Sequence, residues 1–148
     1  MKKLVTVPTV LAALLFLSVT AQATTTDTFH ARGLTVDIGP AVCVPGDLVV
    51  TGNAVMHLTV NDAGDSWFTE TIEGSATVSS ATGATLWSGH AAAWFGLEDN
   101  NQNSVLHFTA NGNGTLADGT MVGIHQEGQF TFNANGVPVV TRVTSTCR

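Results

Sequence analysis

The stretch Leu48-Val49-Val50-Thr51-Gly52-Asn53-Ala54-Val55-Met56-His57-Leu58-Thr59-Val60, followed by Asn61-Asp62-Ala63-Gly64-Asp65, decides the fold. Leu48, Val50, Ala54, Met56, Leu58 and Val60 share one parity with Gly52, while Thr51, Asn53, His57 and Thr59 share the other. A period of two puts these sets on opposite faces of an extended strand, one apolar and one polar. The Asp62-Ala63-Gly64-Asp65 cluster reads as the tight turn that ends it. The next run, 66–79, repeats the pattern, with Phe68, Ile72, Ala76 and Val78 set against Thr69, Thr71, Glu73, Ser75 and Thr77.

Outward from this hairpin the chain divides into seven such runs: 26–38, 47–60, 66–79, 84–95, 104–116, 120–132 and 137–147. Further turn clusters stand at Ala81-Thr82-Gly83, Ala117-Asp118-Gly119 and Asn133-Ala134-Asn135-Gly136, and no run carries a helical period. The apolar face continues through Leu106, Phe108 and Ala110, then Val122, Ile124, Phe130 and Phe132. Gly33, Gly52, Gly74, Gly89, Gly112 and Gly128 interrupt long strands, which suits the bends of a tightly curved sheet.

The first 23 residues have the make-up of a secretory signal: Lys2 and Lys3, an apolar stretch from Leu11 to Val19, and the small-residue site Ala21-Gln22-Ala23. Residues 24–148 then form a single domain, secreted or periplasmic. That domain carries eleven acids against Arg32, Arg142 and Arg148, a net charge of −8. Such a field disfavours nucleic acid and anionic membrane surfaces as partners, and no later stretch is apolar enough for a membrane span. Cys43 and Cys147, the only cysteines, are expected to pair once exported. In a flat seven-strand meander the edge strands lie about 29 Å apart, whereas a disulfide needs Cα atoms within about 7 Å. The first and last strands also run the same way, which puts both cysteines at one rim. The expected fold is therefore all-β, a single antiparallel meander of about seven to eight strands closed into a β-barrel. A Greek-key sandwich would also bring the cysteines together.

Ser88-Gly89-His90-Ala91-Ala92-Ala93-Trp94-Phe95-Gly96 resembles the T-G-H-x-x-x-W-F-G segment of a family of small secreted actinobacterial β-barrel proteins. Cys43-x-x-Gly46-Asp47 and the Thr146-Cys147-Arg148 ending are similar to that family's cysteine segments, although this chain lacks tyrosine. The resemblance implies a β-barrel and a Cys43–Cys147 pair, and carries no activity with it.

Three groups of side chains invite a functional reading. Glu70 interrupts the apolar face between Phe68 and Ile72, and a carboxylate there must be paired or become neutral. Regular alternation puts His90 on the same inner face with Leu86, Ala92 and Trp94, so Glu70, His90 and Trp94 are the expected ligand-binding residues. Arg32 or His30 could join them. The segment Leu97–Asn103 reads as a long polar loop beside Trp94, suited to a sugar, a protein partner or calcium. His57, His107 and His125 fall on the polar face without metal-ligand spacing, so no metal site or cofactor is assigned. No catalytic motif is present, and no catalytic residue is assigned. The expectation is an exported barrel whose interior can hold one small apolar molecule. The alternatives are a cyclase- or isomerase-like enzyme using Glu70 and His90 as acid and base, and an envelope or secreted protein-interaction module.

Overall fold

The computed structural model describes residues 24–41, 43–100 and 102–148; the signal segment 1–23 lies outside them. Seven strands follow one another: β1 (Thr25–Ala41), β2 (Gly46–Val60), β3 (Ser66–Ser79), β4 (Thr85–Asp99), β5 (Asn103–Leu116), β6 (Met121–Asn133) and β7 (Pro138–Cys147). They form one antiparallel sheet in sequence order. Four hairpins share one turn, at Asn61–Asp65, Ser80–Ala84, Leu116–Thr120 and Asn133–Val137. In each, the first residue's N–H donates to the fifth residue's carbonyl, and its own carbonyl accepts from the fourth, a glycine with positive φ. That is the three-residue hairpin loop closed by a left-handed glycine. At Asn61 and Asn133 the side-chain oxygen also accepts two backbone N–H groups, which fixes the turn further.

The sheet is strongly coiled, and its concave side is where the apolar parity lies. Two glycine pairs face each other across strands there, Gly52–Gly74 and Gly89–Gly114. A Cβ on any of these four would collide with a carbonyl of the neighbouring strand. On the inside of a tight bend side chains converge, and only glycine lets the two backbones approach so closely. The core fills the rim at the end of β1, where Leu48, Val50, Val78, Trp87 and Ile124 are buried together with Val36, Ala41 and Val44.

The expected closure into a barrel does not occur: the strand order is linear, and no ladder joins β1 to β7. The disulfide does form, with Cα atoms 5.7 Å apart, and it brings the β1–β2 turn to the end of β7. Beside it the Gln126 side-chain amide donates to the Pro40 carbonyl at 3.2 Å, linking β6 to β1. Toward the opposite rim both edges are solvated: residues 24–30 and 137–144 are all exposed, Phe29 and Val139 among them at 50% and 59%. The edges are unsuited to a continuous ladder. Pro40 and Pro138 lack donors, and register shifts interrupt β1 at Ala31/Leu34 and Asp37/Gly39 and interrupt β7's pairing at Thr131/Phe132. The molecule is a coiled sheet stapled at one rim and open at the other.

Candidate functional site

Glu70 sits in the middle of β3 on the concave face, level with Met56 of β2 and Phe95 of β4. It is 4% exposed, and its Oε1 is buried without a hydrogen-bond partner. Burial raises its pKa above the usual glutamate value of 4.5, because a charged carboxylate loses more hydration than a neutral acid on entering an apolar surround. The shift favours the protonated acid, the form that can donate as well as accept a hydrogen bond.

Around it the open half of the concave face is aromatic. Phe95 stacks on Phe108 with ring centroids 6.4 Å apart, and Phe108 on Phe130 at 6.2 Å. Gly128 makes room for this row, since a Cβ there would strike the Phe108 ring. Phe108 is buried, whereas Phe68, Phe95, Leu97, Leu106 and Phe130 remain half-buried. An apolar surface therefore stays open to solvent where the rim is unstapled, with one buried acid set into it.

His90 and Trp94 do not join Glu70. At the β3–β4 hairpin Ser79 pairs with Thr85 but Val78 pairs with Trp87, so Leu86 is an extra residue in a bulge. One inserted residue exchanges the two faces of everything beyond it. Trp87, Ala91 and Ala93 consequently point inward and are buried, while His90, Ala92 and Trp94 lie on the convex face. His90 Nε2 stands 3.7 Å from Glu73 Oε1 in a solvated pair, and Trp94 is 40% exposed. The acid–base arrangement of Glu70 with His90 is thereby excluded. Arg32 and His30 are exposed on β1.

The long loop expected at Leu97–Asn103 is also mostly strand. β4 continues to Asp99 and β5 begins at Asn103, with Asn100 Oδ1 accepting the N–H groups of Gln102 and Asn103. His57, His107 and His125 lie on the convex side as expected, with His125 Nδ1 2.7 Å from Asn111 Oδ1. Among the described residues no three His, Cys, Asp or Glu side chains are grouped to hold a metal ion. Gln126 and Ser145, opposite each other on β6 and β7, were not legible as interior groups. Gln126 Oε1 and Ser145 Oγ are both buried without partners beside the disulfide seam.

Comparison with protein-family models, curated proteins and solved structures found no match. The functional reading therefore rests on the side chains themselves.

The state of Glu70 has a measurable consequence. Because its pKa is higher folded than unfolded, the unfolded chain loses this proton first as pH rises. The folded state binds more protons in that window, so stability falls from pH 4.5 up to the raised value and then levels off. Glu70→Gln removes this contribution. Chemical denaturation of parent and variant between about pH 4 and pH 8 is expected to show the variant gaining relative to the parent as pH rises. A difference independent of pH would mean that folding leaves the pKa of the acid unshifted.

Proposed function

We propose that this is an exported binding protein that holds a small, largely apolar molecule against the open half of its concave face. Glu70 supplies the hydrogen bond that orients the molecule. The observation that carries the reading is the unpartnered Oε1 of a 4% exposed acid bordering half-buried aromatic side chains. Burying a polar group without a partner costs about 1–3 kcal/mol, an expense that a bound hydroxyl, carbonyl or amide would offset. Apolar sites with a few convergent polar groups are the usual form of small-molecule sites.

An extracytoplasmic setting is supported by the Cys43–Cys147 bridge, which fits an oxidising compartment. The secretory make-up of residues 1–23 supports it too, as does the likeness of Ser88–Gly96 to small secreted actinobacterial proteins.

Native mass spectrometry of the oxidised protein recovered from its own host tests the proposal. An added mass that disappears on denaturation is the expected result. Glu70→Gln, which still donates and accepts, is expected to retain it, and Glu70→Leu to lose it. A bare chain in the parent, or equal retention by Glu70→Leu, would overturn the assignment.

A further inference from the structure

The convex face carries a second, independent arrangement. Trp94 reaches over Gly96: a Cβ on this glycine, two residues along the same face, would run into the indole. The ring thus rests against the Gly96 backbone while the residue stays 40% exposed. Beside it β5, β6 and β7 present two register rows. One is His107, Gln129 and Arg142; the other is Thr109, Glu127 and Thr144, continuous with Trp94 itself. With Phe108 and Gly128, the pair that lies between the two rows, they line a shallow depression of about 380 Å³. Glu127 is already held in place, with Oε1 accepting the Thr144 hydroxyl at 2.9 Å and Oε2 3.9 Å from His125 Nε2.

From these residues we infer that the depression is a binding site for a neutral pyranose unit of a glycan. A pyranose has an apolar face of C–H groups and a rim of hydroxyls, each both donor and acceptor. The exposed indole matches the first, since an aromatic ring offers a large rigid surface with negative potential to C–H groups. Gln129, Glu127, Arg142 and His107 match the second, because planar amide, carboxylate, guanidinium and imidazole groups meet adjacent hydroxyls with fixed geometry. Glu127 and Arg142 offset each other, so the site has no net charge to select an acidic sugar. The chain's negative balance further disfavours one. Every side chain stands on a strand, which holds the rows without a loop having to order. The site is on the opposite face of the sheet from Glu70 and does not depend on the concave-face proposal.

Affinity gel electrophoresis of the oxidised protein tests the inference, with soluble mixed-linkage glucan, galactomannan, arabinoxylan and starch cast in the gel and alginate as the anionic control. Retardation by at least one neutral polysaccharide is expected, weakened about tenfold or more by Trp94→Ala and largely kept by Trp94→Phe. Gln129→Ala is expected to weaken it as well, whereas Trp67→Ala, which removes an exposed tryptophan of β3, is expected to leave it unchanged. No retardation by any neutral polymer, retardation by alginate alone, or equal retardation of parent and Trp94→Ala would each overturn it. Circular dichroism of Trp94→Ala and Gln129→Ala separates lost binding from lost folding. If Trp94→Ala does not fold, Gln129→Ala decides alone: weakened retardation upholds the inference and unchanged retardation overturns it.

Discussion

The Cys43→Ser/Cys147→Ser protein is expected to unfold with about 4–5 kcal/mol less free energy than the oxidised parent, from the loop-closure entropy of a long cross-link. The cysteines are separated by 104 residues, so the bond constrains most of the unfolded domain. Against a typical total of about 5–15 kcal/mol, that loss is a large share. The architecture sharpens the expectation, because no ladder connects β1 to β7. Without the bridge, the seam retains the Gln126–Pro40 hydrogen bond and the core side chains behind it. Denaturant titration gives the magnitude, and hydrogen exchange gives the location. Amides at the ends of β1 and β7 should lose protection in the variant before those of β3 to β5, which have neighbours on both sides. A stability loss below about 1 kcal/mol would mean that packing at the rim holds the edges unaided.

The strands were legible because alternation and turn chemistry agree in this chain. The four Gly-containing turn clusters of the sequence are the four hairpins that share one geometry. Gly52, Gly74 and Gly89 do mark the tight bends, through close approach of backbones. Two inferences failed for identifiable reasons. The cysteine pair implied closure, but a disulfide fixes one point of a seam, whereas a ladder needs an unbroken row of donors and acceptors. Pro40, Pro138 and the shifts in β1 break that row. The faces of β4 were exchanged because a bulge at Leu86 leaves no mark in the hydrophobic pattern. Leu86-Trp87 and Ala91-Ala92-Ala93 are apolar at both parities, so the sequence permits either register. Glu70 was placed correctly because the flanking Phe68 and Ile72 admit only one parity.

The same bulge shapes both candidate sites. By turning His90 outward it leaves Glu70 with no histidine beside it on the concave face, so nothing there offsets the upward shift that burial gives its pKa. By turning Trp94 outward it removes an indole from the concave face and puts it over Gly96, next to the polar rows of β5 to β7. A regular hairpin would have brought His90 and Trp94 to the concave face with Glu70 and turned Trp87 and Phe95 outward.

Trp87→Ala is expected to lower the unfolding free energy by about 3–5 kcal/mol, the range for truncating a buried aromatic side chain. Trp87 is 1% exposed, and its indole N–H donates to the Val122 carbonyl at 3.0 Å. That bond spans from β4 to β6 across β5, and the ring occupies the space left by Gly112 and Gly114. The two glycines answer the substitution differently. A Cβ on Gly114 would strike the Ser88 carbonyl as well as the indole, so shortening Trp87 cannot relieve it. A Cβ on Gly112 would stand 3.1 Å from Trp87 Cη2 and 3.4 Å from the Ala91 Cβ, and only the first contact is tight. Gly112→Ala should therefore destabilise the parent and be neutral or stabilising in the Trp87→Ala background, where it fills part of the cavity. Denaturant titrations of the four proteins in this cycle give the coupling directly. Additive effects, or a Trp87→Ala loss below about 2 kcal/mol, would show that the neighbouring side chains collapse into the vacated space and that the indole is not what separates β5 from the interior.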